Sequence, residues 1–284
     1  MLLAILLPLV LLLVALALYA RLVEPNRLRI RRRVLGLPSW PAALDGFTIL
    51  HISDLHIGRR PTPSRKHLRR AAGLHADLYI VTGDFLSNGQ GLEQACTAMR
   101  DFANGKTVYA VPGNHEHMNY RLGIPIPGRF RGKGIDAAGN LRALSHAGLT
   151  FLVNRHVVLT RSGASFVLAG LDDRYNKADD LPAALQGVPS GLPVILLSHS
   201  PDLFPHVAQR SIALTLSGHA HDGQVRIPLL GVPFTGTIHP LRPASGIHKH
   251  GDSLMHVSPG LGASMLPIRF CARPEITLIE LHRT

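Results

Sequence analysis

Phe47-Thr48-Ile49-Leu50-His51-Ile52 is an apolar run that opens directly into Ser53-Asp54-Leu55-His56. The same arrangement recurs along the chain. Leu78-Tyr79-Ile80-Val81 precedes Gly83-Asp84, and Val108-Tyr109-Ala110-Val111 precedes Gly113-Asn114-His115-Glu116. Val194-Ile195-Leu196-Leu197 precedes His199, and Ile212-Ala213-Leu214-Thr215-Leu216 precedes Gly218-His219-Ala220-His221. Continuous apolar runs of this kind suit strands covered on both faces. Open α/β sheets place their chemistry beyond the carboxyl ends of such strands. Five buried strands should therefore deliver their polar ends to one rim, with Gly83, Gly113 and Gly218 letting the backbone turn sharply and approach a ligand.

Asp54, His56, Asp84, Asn114, His199, His219 and His221 offer imidazole, carboxylate and amide donors. A pair of divalent ions about 3.5–4 Å apart needs such a mixed set, with one ligand shared. Any one of these pieces alone is more often a turn residue or a satisfied core histidine. Their joint occurrence, in order and each after a strand, points to a metal centre. The nitrogen and oxygen donors fit Mn²⁺, Fe or Zn²⁺ and argue against Mg²⁺, which prefers all-oxygen shells; Mn²⁺ is the first choice.

The ordered blocks D-x-H, G-D, G-N-H-E, H and G-H-x-H resemble the calcineurin-like metallophosphoesterases, from about Gly46 to the C-terminus. The resemblance implies an α/β fold, a four-layer α/β/β/α sandwich, and hydrolysis of a phosphoester. It also implies that Asp54, His56, Asp84 and His221 hold one metal, that Asp84, Asn114, His199 and His219 hold the other, and that Asp84 bridges. His115 would then act at the leaving-group oxygen as acid or electrostatic stabiliser. Protein Ser/Thr phosphatases continue the second block as G-D-x-x-D-R-G. Here it reads Gly83-Asp84-Phe85-Leu86-Ser87-Asn88-Gly89, which lacks a partner for the catalytic histidine and a phosphate clamp and argues against phosphoprotein substrates. The pattern is more similar to the bacterial membrane-associated or exported branch, which includes UDP-diacylglucosamine pyrophosphatases.

Met1 to Ala20 carries no charged side chain, enough for a helix across a ~30 Å hydrocarbon core. A cleavable signal would normally bring a positive n-region and a shorter apolar core, so residues 1–20 are expected to be a single transmembrane anchor. Arg21, Arg27, Arg29, Arg31, Arg32 and Arg33 follow immediately, and the positive-inside rule puts the catalytic domain on the cytoplasmic side of the inner membrane. Residues 21–45 form a basic juxtamembrane strand and connector, and residues 46–284 the catalytic domain. The alternation of Arg27, Arg29 and Arg31 with Leu28 and Ile30 suits a half-exposed edge strand. Val34 to Leu44 should be a connector.

The net charge of +12, from 30 basic and 18 acidic residues, suits an anionic membrane surface or a polyanionic substrate. With 5% aromatics and no basic-aromatic interleaving, the chain lacks the stacking platform that single-stranded nucleic acid uses. The two cysteines, Cys96 and Cys271, form no metal or disulfide pattern and should be buried thiols. Helices are expected over Ser64 to Ala72, with Ser64 as N-cap, over Gly91 to Phe102, and over Asn140 to Ala147. Short strands should cover Phe151 to Val153, His156 to Leu159 and Ser165 to Leu168. Strands at Ser253 to Val257 and Glu275 to Leu281 should close the fold after a long loop, Asp222 to Asp252. The basic, Pro/Gly-rich segment Arg121 to Gly134 is a candidate substrate cap. His51 should point into the core or behind the ligands, while His239, His248 and His250 carry no assignment. Three classes of function are compatible: a membrane-anchored phosphodiesterase or pyrophosphatase with a substrate that is lipid-linked or contains a nucleotide, a nuclease, and a metal-free scaffold. Intact ligands at every block argue against the last.

Overall fold

The structure, a computed structural model, describes residues 2–284 except 88–89, 122–123, 127–134, 208–209, 211 and 239–242, and gives no side-chain detail for 2–5, 119–121 and 124–126. In chain order the elements are α1 (Leu2–Leu18), β1 (Arg29–Leu37), β2 (Phe47–Ile52), α2 (Pro63–Ala72), β3 (Leu78–Thr82), α3 (Leu92–Ala103) and β4 (Val108–Val111). They continue with α4 (Asn114–His117), β5 (Asn119–Arg121), β6 (Ile124–Ile126), α5 (Ala137–His146), β7 (Leu149–Phe151), β8 (Arg155–Arg161) and β9 (Ala164–Gly170). The last are α6 (Leu181–Leu185), β10 (Val194–Leu197), α7 (Phe204–Val207), β11 (Ile212–Ser217), β12 (Gly246–His250), β13 (Ser253–Val257) and β14 (Glu275–Arg283).

Two six-stranded sheets result, ordered β1-β14-β2-β3-β4-β7 and β12-β13-β11-β10-β9-β8. In the first, β2, β3, β4 and β7 run parallel and β14 is antiparallel to β2. In the second, β9, β10, β11 and β13 run parallel, with antiparallel strands at both edges. Ile49, Ile80, Leu168, Ile195, Leu214 and Ile279 pack between the sheets. α2, α3 and α5 cover the outer face of the first sheet through Leu68, Met99, Phe102 and Leu144. Leu181, Ala184, Leu203 and Phe204 cover the outer face of the second. The molecule is thus a helix/sheet/sheet/helix sandwich. The central strands β2, β3, β4, β10 and β11 are buried on both faces, which is why their sequences do not alternate, whereas the edge strand β1 alternates half-buried and exposed residues over Arg29 to Val34.

α1 continues through a π-helical turn at Tyr19–Val23 and a 3-10 turn at Glu24–Asn26, so the apolar span long enough to cross a membrane is Leu6–Asn26. Several local expectations change. Val34 to Leu37 belong to β1 rather than to a connector, because this stretch pairs in register with Glu280 to Arg283 of β14. The N-cap of α2 is Thr62, and Ser64 is a buried residue inside the helix. The fixed φ of Pro63 places that residue at the first helical position. α5 starts three residues early because Asp136 caps it by accepting from the Gly139 amide. β12 interrupts the long loop, pairing with β13. Cys271 is exposed and Cys96 only half-buried, since residues 271–274 leave the strand pattern before β14 begins. Of the candidate cap Arg121 to Gly134, Arg121 ends β5 and Ile124–Ile126 form β6, which pairs antiparallel with β5; residues 122–123 and 127–134, with Arg129, Arg131 and Lys133, lie outside the described residues, as does His239.

Candidate metal centre

β2, β3, β4, β10 and β11 end at the same rim, and the loops that follow are knitted together by main-chain bonds. Asp54 N donates to Gly83 O, His56 N to Asp84 O, and Gly218 N to His199 O. Glu116 is the strut of this arrangement. Its carboxylate accepts from the amides of Asp84, Phe85, Leu86 and Gly113 at 2.8–3.1 Å. Burial pushes Glu116 up to about 8. Four N–H donors nevertheless leave an acid proton no acceptor, so the loop is built around the ionised form. At Gly113 a Cβ would stand 2.3 Å from Asp84 Oδ1, and only glycine allows that approach.

Among the described residues, two groups of His and Asp side chains converge, Asp54 with His56, Asp84 and His221, and Asp84 with His199 and His219. Asp84 is common to both. In the first group His56 Nε2 lies 3.0 Å from His221 Nε2 and 3.4 Å from Asp84 Oδ2, and His221 Nε2 lies 3.4 Å from Asp54 Oδ1. In the second, His199 Nε2 is 3.4 Å from Asp84 Oδ1, and Asn114 Oδ1 is 3.2 Å from His199 Nε2 and 3.0 Å from His219 Nδ1. Donor atoms bound to one transition metal at about 2.0–2.2 Å stand roughly 3.0–3.5 Å apart, so these separations are those of coordination edges. The tautomers agree. His199 Nδ1 donates to Thr82 O and His219 Nε2 to Gly236 O, which turns a lone pair of each ring toward Asn114.

The backbone carries strain at the same place. Asp54, His56, Asp84, His219 and His221 all have φ between 43° and 68°, a left-handed conformation that side-chain-bearing residues adopt at a cost. Five of the seven candidate ligands sit in it. The titrating groups are also buried away from water, and their neighbours shift them. Burial would raise Asp84, but His199, His115 and His56 outweigh it and hold the carboxylate well below its usual range. Burial would lower His199, but Asp84 raises it to about 10, so a proton sits on Nε2 where a metal ion would displace it. Burial raises Asp54 to about 6, lowers His56 to about 3 and His219 to about 4, and holds His221 well below its ordinary value. The buried carboxylates require a positive charge beside them, and the lowered imidazoles keep their lone pairs at neutral pH. That is a donor set for divalent cations.

His115 lies at the edge of this cluster, with Nε2 3.9 Å from Asp84 Oδ2 and 3.4 Å from Ser264 Oγ. It lines a cavity of about 460 Å³ that opens over Asp84, Asn114 and His219. Burial lowers its imidazole, so at neutral pH it offers an N–H donor. Three other residues had no assignable signal in the sequence. Arg269 is fully buried beneath the site, donating to the carbonyls of Gly262, Ala272 and Pro259, with Nη2 3.3 Å from His221 Nδ1. Tyr175 packs its ring 4.6 Å from that of His219. His256, on β13, bonds His51 Nδ1 at 2.9 Å, and His51 in turn reaches Thr82 Oγ1, so His51 lies in the core directly behind the rim. His248 and His250 sit on edge strand β12 and belong to neither donor group.

Two sheets that bring two aspartates, four histidines and an asparagine together at one rim, at the floor of one cavity, define a metal-dependent phosphoric ester hydrolase. The chain belongs to the calcineurin-like phosphoesterase family, whose profile matches residues 47–223. Similar proteins extend beyond that stretch. The metallophosphoesterase YkuE of Bacillus subtilis is 28% identical over 94% of this chain and 90% of its own length. The phosphodiesterase YaeI of Escherichia coli is 28% identical over 83% and 82%. The UDP-2,3-diacylglucosamine pyrophosphatase LpxG of Chlamydia trachomatis is 27% identical over 92% of both chains.

Proposed function

We propose that this chain is a membrane-anchored, dinuclear phosphoesterase that cleaves a phosphodiester or phosphoanhydride, with a UDP-diacylglucosamine-like lipid as the leading substrate. The carrying observation is the pair of donor groups that share Asp84. In this reading Asp54, His56, Asp84 and His221 hold one ion, and Asp84, Asn114, His199 and His219 hold the other; Mn²⁺ is the first choice, with Fe or Zn²⁺ as substitutes. Such ions supply charge for the phosphoryl oxygens and a water acidified to hydroxide near neutral pH. His115 faces the cavity and donates its Nε2–H to the departing oxygen. Tyr175, packed on the His219 ring, holds that imidazole in place. Residues 1–20 anchor the chain in the inner membrane, 21–45 connect, and 46–284 form the catalytic domain on the cytoplasmic side, as the arginine cluster after the span supports.

The name of LpxG supports a lipid-linked pyrophosphate, and the name of YaeI supports the second reading, a general phosphodiesterase acting on soluble nucleotide substrates. A panel of UDP-diacylglucosamine, UDP-sugars, nucleotide diesters, phospholipids and phosphoproteins, assayed with Mn²⁺ against metal-stripped protein, separates them. The expected result is Mn²⁺-dependent turnover fastest on the lipid-linked pyrophosphate. Faster cleavage of soluble nucleotides in mixed micelles would replace that substrate with the general one.

A further inference from the structure

The mouth of the metal cavity carries an apolar rim. Leu229 is fully exposed, Leu230 is 82% exposed, Phe234 66% and Leu266 55%. Phe234, Met265 and Leu266 line the cavity itself. Leu229 and Leu230 sit at the tip of a tight turn closed by two bonds between Ile227 and Gly231. Leu229 holds φ at 69°, where a glycine or asparagine would be the unstrained choice. A bulky apolar side chain is therefore kept in a strained conformation at the most exposed point of the rim.

This rim is hydrogen-bonded to the end of α1. Arg269 N donates to Ala20 O, Arg21 Nη1 donates to Pro267 O, and the rings of Tyr19 and Phe270 meet edge to face at 6.2 Å. Phe270 in turn exchanges bonds with Gln224 and Arg226, and the Gln224 side chain binds the main chain of Ser264 and Leu266. The turn, the 264–270 segment and the helix end are thus one unit. Arg269 follows Leu266 by three positions, a reach of about 10 Å. Leu266 therefore lies within about that reach of the boundary at which α1, whose leucines and valines from Leu6 onward are exposed, would leave an apolar layer. Arg21 stands at that boundary, where a cation meets lipid headgroups.

We propose that the rim formed by Leu229, Leu230, Phe234, Met265 and Leu266 docks into the bilayer surface, so that the metal cavity opens onto the lipid phase. The inference rests on the reading of α1 as a membrane span, and it deepens the proposed function by making the membrane itself the source of the phosphoester. The partner is a bilayer rather than a second copy because the rim continues the apolar surface of the helix to which it is bonded.

Trp40, the single tryptophan of the chain, is buried between the sheets, so an added tryptophan reports on its own surroundings. Full-length Leu230→Trp, and separately Leu266→Trp, would be reconstituted into phosphatidylcholine vesicles with brominated or plain acyl chains. Arg161→Trp, on the β8-β9 turn at the opposite ends of the strands, is the control. An interfacial segment sits about 5–10 Å into the headgroup and acyl boundary, so bromine should remove about half of the added emission at 230 and 266 and none at 161. Flotation of the same samples scores the anchor separately, without substrate. Chain that floats with the vesicles but shows equal emission in both lipids overturns the docking alone. A blue shift at 230 without bromine quenching assigns the rim to a second copy and also overturns it. Chain that does not float overturns the anchor reading and the docking together, and leaves the hydrolytic site to the substrate panel.

Discussion

Replacing Gly218→Ala would place a methyl carbon 2.4 Å from Asp54 Oδ2 and 1.9 Å from Ser53 Oγ. Gly218 does not use a positive φ, so alanine meets no backbone penalty and the perturbation is purely one of space. Ordinary carbon–oxygen contact begins near 3.4 Å, so the carboxylate must retreat by about 1 Å, and overpacking of this kind costs about 1–3 kcal/mol. The retreat has little freedom. Asp54 is held by the His219 amide at 3.0 and 3.1 Å, and its Oδ1 faces His221 Nε2 at 3.4 Å. A displacement of about 1 Å in a reacting constellation lowers turnover by roughly 100-fold. The assay pairs metal content of the detergent-solubilised full chain with the initial rate on an activated aryl phosphodiester in Mn²⁺. Gly218→Ala should lose metal from the Asp54 group and about two orders of magnitude in rate, while thermal unfolding stays cooperative. Gly58→Ala, whose new methyl meets only Ser87 Cβ at 3.6 Å, should match the parent. Parental metal content and rate in Gly218→Ala would refute the placement of Asp54 among the ligands.

Asp84→Ala should lose both ions and all turnover, because both donor groups use this carboxylate; full metal content by plasma mass spectrometry would remove it from the bridging position. His115→Ala should keep its metals and lose about 10²–10⁴-fold in rate on alkyl esters, with a smaller loss on aryl esters that need no help to leave. Equal losses on the two would exclude a role at the leaving group. The buried pair His51 and His256 predicts an acid limb in stability. Burial depresses both, His51 to about 3, so the unfolded chain takes up the protons. Stability is then full above about pH 6.5 and falls toward the folded values by up to about 1.4 kcal/mol per pH unit for each histidine, or roughly 2–3 kcal/mol for His51 at pH 4.5, with His256 acting in the same direction. In saturating Mn²⁺, His256→Leu should reduce the decline of the urea midpoint between pH 6.5 and 4.5; an unchanged slope would show that the pair does not set it.

The strands that carry the site were legible because burial on both faces leaves a signature in the chain itself. The apolar runs ending at Ile52, Val81, Val111, Leu197 and Leu216 coincide with β2, β3, β4, β10 and β11 to within a residue. The donor residues were legible because a metal centre demands particular atoms, and such side chains immediately after buried strands have few other uses. Local signals failed where a distant partner decided the outcome. Val34 to Leu37 became strand because β14, some 245 residues away, lies beside them. Glu116 was visible in its block, but its role as the acceptor for four amides depends on the meeting of two loops. Arg269 and His256 carry no sequence mark, since their neighbours come from other elements. Chain order determined which residues could bind metal and that they would share a rim. Only the packing of the two sheets decided that His56 and His221, 165 positions apart, would face each other at 3.0 Å, and that an exposed leucine turn would sit beside the end of the N-terminal apolar helix, because those distances are set by long-range contacts and not by anything within a strand's length.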